Sequence, residues 1–116
     1  QLQSRFYFCL NLSIFQKLPI KHKCITAQPL IENIEIEKYL DGIELVVVGG
    51  ESDINARPLY YDWVLNIRKQ CVNKNVSFEF RQCGTYFVKE GKKYKIQTKD
   101  LIRQAKLANI DFVGNE

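Results

Sequence analysis

The densest apolar run in the chain is Ile43-Glu44-Leu45-Val46-Val47-Val48, in which only Glu44 is polar. Its β-branched residues are apolar on both faces, and that continuity predicts a strand buried on both sides within a parallel sheet. Gly49-Gly50 ends it. A second strand is predicted over residues 76–81, where Val76, Phe78 and Phe80 alternate with Ser77, Glu79 and Arg81. A third and shorter one spans Lys23 to Ala27 and stops at Gln28-Pro29, because proline cannot continue the ladder. Two further segments, Thr85–Val88 and Lys93–Gln97, flank Lys89-Glu90-Gly91-Lys92 and read as a hairpin with glycine in its turn.

Helical spacing occupies the intervals. Phe6, Tyr7, Leu10 and Ile14 predict an apolar-rich helix over residues 4–16, ending before Pro19. Asp62 suits the positive end of a helix in which Trp63, Val64, Ile67 and Cys71 form one buried stripe. Thr98 is placed to cap a last helix with Leu101, Ile102, Ala105 and Ala108 inward. Residues 31–40 form a loop with a short helical turn, and a second loop runs from Glu51 to Tyr60. Strands separated by helices give an α/β fold, here a small open parallel sheet with flanking helices and a C-terminal β-hairpin.

With 116 residues, the chain makes one domain with one core. A three-stranded parallel sheet leaves an edge open, so a partner is expected: an N-terminal half lying upstream, or a second copy in a homodimer. The start at Gln1 rather than Met permits residues upstream.

At 46% hydrophobic and 26% charged, the composition is globular and not disordered. No apolar run approaches the roughly 20 residues of a membrane span, and no secretory signal pattern is present. A cytoplasmic protein is expected, with no membrane partner. Cys9, Cys24, Cys71 and Cys83 are widely spaced, which argues for reduced thiols and against a structural zinc site. The net charge of +4 is too mild to imply nucleic acid by itself.

Candidate chemistry falls on two segments. Gly49-Gly50-Glu51-Ser52 follows the buried strand, and ligands of α/β sheets bind at that C-terminal edge. The glycines allow close approach to the backbone, Glu51 can accept from an ammonium or a ribose hydroxyl, and Ser52 can donate to an anion. Arg57 can pair with an anion through its fork, while Gln28 and Gln82 follow the neighbouring strands. The plainer alternative is a tight turn in which Glu51 and Arg57 pair with each other. The second segment is basic: Lys89, Lys92, Lys93, Lys95, Lys99, Arg103 and Lys106, with Tyr86, Phe87 and Tyr94 between. Such a hairpin can grip phosphates and stack bases as a nucleic-acid-binding module, or it is a solvated face with its aromatics turned to the core. A purely structural or assembly domain is the third reading.

The ordered set Val47-Val48-Gly49-Gly50-Glu51-Ser52, Ala56-Arg57-Pro58, Asp62-Trp63-Val64, Arg68, Gln70-Cys71, Val76, Phe78, Phe80, Gln82 and Gly84 resembles a family of uncharacterised phage and bacterial proteins. The resemblance covers roughly residues 18–110, and Gln28-Pro29-Leu30 looks like that family's Glu-Pro-Leu segment. Members are similar to radical-SAM proteins and carry an iron–sulfur cysteine cluster in an N-terminal half. The resemblance therefore implies a partial (β/α) barrel, with this chain as its later part. Gly49, Gly50, Glu51, Ser52 and Arg57 would then face S-adenosylmethionine or a substrate. Two departures qualify what is carried over. The cluster cysteines are missing, so no cofactor is assigned to this chain; S-adenosylmethionine and an iron–sulfur cluster belong only with an N-terminal half. Gln28 stands where the family has Glu, which removes an ionisable acceptor. As an isolated chain it is not expected to be an active enzyme.

Overall fold

The computed structural model describes residues 12, 14, 16–19 and 22–115. From residue 23 onward, all within the described residues, the strands and α-helices follow in the order β1 (Lys23–Ala27), β2 (Ile43–Gly49), β3 (Leu59–Tyr60), α1 (Tyr61–Asn73), β4 (Ser77–Gln82), β5 (Tyr86–Lys89), β6 (Lys92–Lys95) and α2 (Leu101–Leu107). The fold is α/β. One sheet is parallel and three-stranded, in the order β1-β2-β4; the other is mixed, in the order β3-β5-β6, and neither is closed.

The apolar run of β2 lies in the middle of the parallel sheet, as its double-sided pattern predicts. Val46 aligns with Ile25 and Phe78, and Val48 with Ala27 and Phe80. These six residues share the face that builds the core, and each is buried. Against them pack Val64, Ile67 and Cys71 of α1, together with Leu30, Ile34, Ile36 and Leu40 from the long β1–β2 connection. Leu12 joins the same core. The predicted helix over 4–16 lies largely outside the described residues; of its span, Leu12, Ile14 and Gln16 are described, and they are helical.

The opposite face has a different character. Its rows run Cys24-Leu45-Ser77 and Thr26-Val47-Glu79. Val47 is buried, but Cys24, Thr26 and Arg81 are exposed, and Ser77 and Glu79 are half-buried. The two edges also differ. Beyond β4, Phe78 and Phe112 exchange both backbone hydrogen bonds (2.8 and 2.9 Å), and the Asp111 carboxylate accepts from the Phe80 N–H at 2.8 Å. Asn75 and Asn115 close the same edge lower down. Among the described residues nothing pairs with the outer edge of β1.

Four local readings change. Leu59 and Tyr60, predicted as the end of a loop, form a short parallel strand against Phe87 and Val88, a pairing that local pattern cannot announce. Thr98 does not cap α2; residues 98–100 make a 3₁₀ turn instead. Ile102 is 60% exposed, not inward: α2 is a seven-residue helix that presents only Leu101 and Ala105 to the core, and one residue's rotation carries Ile102 off that stripe. Trp63 is half-buried and lies 4.6 Å, centroid to centroid, from the ring of Tyr60.

The buried stripe of α1 contains one polar residue, Gln70. Its amide oxygen accepts from the Ile36 N–H at 2.6 Å, and its amide nitrogen donates to the Ile34 carbonyl at 3.0 Å. One side chain thereby satisfies two backbone groups of a buried, irregular stretch, the Ile34 carbonyl also accepting from the Asn66 amide at 3.3 Å. Replacing it with an isosteric apolar residue leaves the Ile36 N–H buried and unpaired. Gln70→Leu is expected to lose about 1–3 kcal/mol in urea denaturation. The exposed Asn73→Ala is expected to stay within about 0.5 kcal/mol of the parent.

Candidate functional site at the strand ends

The segments that leave β1, β2 and β4 meet at the C-terminal edge of the parallel sheet. Gln28 lies across Gly49: a Cβ built on Gly49 would sit 2.8 Å from the Gln28 side-chain carbonyl carbon. Gly50 crosses Gly84 even more closely, and a Cβ on Gly50 would stand 2.6 Å from the Gly84 Cα and 2.9 Å from the Cys83 carbonyl oxygen. Gly84 has φ +80°, which favours glycine for a second reason. Gly50 is thus required by packing against backbone, a sufficient cause without a ligand, whereas Gly49 faces only the movable end of the Gln28 side chain.

Beyond the crossing, the loop is tied down by its own polar groups. The Thr85 N–H donates to the Glu51 carbonyl at 3.0 Å, and the Asp53 N–H donates to the Thr85 hydroxyl at 3.0 Å. The Tyr86 hydroxyl donates to the Ile54 carbonyl at 2.7 Å. Glu51 and Arg57 pair, as the plainer alternative had it. The Glu51 carboxylate accepts from the Arg57 backbone N–H (3.0 Å), Nε (2.9 Å) and Nη2 (3.1 Å). Those bonds, the guanidinium first and the backbone N–H second, hold the Glu51 carboxyl below its ordinary pKa. The result is a neutralised, pre-positioned pair at the mouth of the edge, with guanidinium N–H groups left over for an anion.

The predicted residues therefore fare differently. Gln28, Gly49, Gly50, Glu51 and Arg57 come together, and Ser52 is exposed beside them. Gln82 reaches the same edge but is buried, and its side-chain oxygen accepts from the Gly84 N–H at 2.8 Å. Thr85 holds the loop in place and carries no spacing signal of its own, while Tyr86, an aromatic of the basic segment, ties down the same loop. The only local hint was a hydroxyl residue directly after a turn glycine.

The basic segment is divided. Arg103 pairs with Asp100 at 3.1 Å, and Lys106 pairs with Asp111 at 2.8 Å and Glu79 at 3.3 Å. Lys92, Lys93, Lys95 and Lys99 are exposed, and Lys89 lies over the ring of Tyr61. Among the described residues no cluster of three or more His, Cys, Asp or Glu could hold a metal. His22 is exposed and bonds to Glu44 at 2.8 Å. Burial pushes the Cys71 thiol up to about 12 and the Cys83 thiol up to about 11, so both are protonated and inert at neutral pH. No described helix is long and apolar enough to cross a membrane.

A family model described as a protein of unknown function, DUF5131, matches residues 4–110. The chain belongs to the DUF5131 family. No curated protein and no solved structure matches it.

Two outcomes are expected of this DUF5131 chain. Gly50→Ala meets backbone rather than a yielding side chain, so it should cost about 1–3 kcal/mol by chemical denaturation. The second outcome concerns pH. Glu79 is held below its ordinary pKa of 4.5 by Arg81 first and then by Lys106, and Glu51 is lowered by Arg57. A depressed folded-state pKa contributes stability above the ordinary value, and that stability is lost as the pH falls through the lowered one. Melting temperatures should therefore fall below about pH 4.5, and Glu79→Gln should make that acid-side fall shallower.

Proposed function

We propose that this chain is the ligand-facing half of a phage-related, radical-SAM-like α/β protein and is not itself a catalyst. One observation carries the reading: among the described residues, the helix and loops that build the core pack on one face of the parallel sheet. Parallel sheets are ordinarily buried on both faces. Here the second face offers Thr26, Glu79 and Arg81 around a single buried valine, and the outer edge of β1 is unpaired among the described residues. A second α/β half, or a second copy of this chain, would cover that face and extend β1. The strand-end loop would then stand at the rim of the enclosed space, as in a half-barrel.

The pair of Glu51 and Arg57 suits a zwitterionic ligand, whose ammonium and carboxylate can exchange partners with it. S-adenosylmethionine is such a ligand, and the resemblance to radical-SAM proteins favours it. An iron–sulfur cluster does not fit the described residues. Cys71 and Cys83 are buried and protonated, whereas cluster ligands are thiolates, and Cys24 stands apart on the exposed face. A cluster, if the whole protein carries one, belongs with the other half.

The test is thermal unfolding with and without S-adenosylmethionine. At one hundred times its dissociation constant a ligand stabilises by about 2.7 kcal/mol, a shift of several degrees in a chain this size. That shift should vanish in Glu51→Ala, judged against the variant's own unliganded melting temperature, which should fall only slightly because the pair is partly exposed. A stable homodimer in sedimentation with no ligand shift would instead favour an assembly domain.

A further inference from the structure

A cleft separate from the strand-end loop opens between the β5–β6 hairpin and α2. Its volume is about 270 Å³, and most of its lining is apolar or aromatic. Three rings form its floor. Tyr61 meets Phe87 edge-on with centroids 5.6 Å apart, and Phe80 lies 6.1 Å from Phe87 and 6.5 Å from Tyr61. Tyr94 lines the same cleft and is 44% exposed, so its ring still has a free surface.

The hairpin register arranges charge beside these rings. Phe87 stands opposite Tyr94, and Lys89 opposite Lys92. Residues two apart on a strand share a face, so the aromatic pair and the lysine pair occupy successive rows of one surface. The rows are separated by about 7 Å, which is close to the reach from a nucleobase to its own phosphate. The Lys89 ammonium lies 5.3 Å from the Tyr61 centroid, at the junction of the two rows. Among the described residues Lys89, Lys92, Lys93 and Lys95 form no ion pair, although acids elsewhere hold Arg57, Lys74, Arg81, Arg103 and Lys106. Gln104 adds an amide to the lining, able both to donate and to accept.

We infer that this cleft binds a nucleotide unit, with the base stacked on Tyr94 above the three-ring floor and the phosphate held by Lys89 and Lys92. Aromatic stacking and a neighbouring cationic row together match a ring that carries an anion, and neither feature alone would. The same chemistry is offered by a free nucleotide and by a single nucleic-acid strand. The strand-end loop takes no part, so this inference stands or falls separately from the proposed function.

The experiment is fluorescence anisotropy of the full chain at low salt, using a labelled single-stranded oligothymidylate with thymidine monophosphate as competitor. Binding is expected. Tyr94→Ala should weaken it at least about five-fold, as loss of a base–aromatic stack does. Lys89→Gln with Lys92→Gln should weaken it and flatten its salt dependence, while Glu51→Ala should leave it unchanged. All these positions reach solvent, so the variants should fold, and circular dichroism checks that. Competition by the monophosphate would identify a free-nucleotide site; binding of the oligomer alone would identify a strand. Absence of binding by either probe would overturn the inference. So would binding that Tyr94→Ala leaves intact, because that is phosphate attraction without a base site.

Discussion

Everything in this fold follows from the burial of β2 between two parallel neighbours. A parallel strand cannot reach its neighbour by a tight turn, so the chain must make a long crossover each time. The first crossover, residues 28–42, has one 3₁₀ turn and little other regular structure. It therefore needs Gln70 to satisfy its buried backbone. The second carries α1, whose Val64, Ile67 and Cys71 cover Val46 and Val48. Both crossovers lie on one side of the sheet. That concentrates the core on one face, while the other sets Thr26, Ser77 and Glu79 beside Leu45 and Val47.

The same arrangement builds the strand-end loop. Because β2 and β4 are neighbours, their exits must cross, and the crossing at Gly50 and Gly84 leaves no room for a side chain. Once the backbones touch there, Thr85 lies within reach of Glu51 and Asp53, and the loop is held from both sides. A site formed in this way is pre-organised before any ligand arrives, which lowers the entropy lost on binding. The price is a carboxylate already occupied by Arg57, so a ligand must compete with an existing pair.

Charge is distributed unevenly over the molecule. Acids accompany the cations around the parallel sheet and α2, where Glu79 serves both Arg81 and Lys106. On the hairpin the only acid is Glu90, in the turn itself. A mild net charge thus coexists with a local row of uncompensated lysines next to aromatic rings. The average charge conceals this, which is why composition gave no reason to single out a binding surface.

Much of the architecture was legible in the residues themselves. The double-sided run at Ile43–Val48, the alternation at Val76–Arg81, the glycine turn at Gly91 and the stripe of α1 are local signals, each contained within a few residues, and each element formed where its period placed it. The pairing of Glu51 with Arg57 was also in view, because six residues of a loop bring them close. What the tertiary structure alone decided is long-range. Leu59–Tyr60 becomes a strand only because β5 lies beside it, and Phe112 closes the edge of β4 from far along the chain. Gln70 is buried because its partners at Ile34 and Ile36 come from another crossover. The need for glycine at position 50 arises from Gly84, and the successive rows of Phe87 with Tyr94 and Lys89 with Lys92 from the hairpin's register. Local patterns record how each residue meets solvent and core; which segments meet is settled only when the whole chain packs around β2.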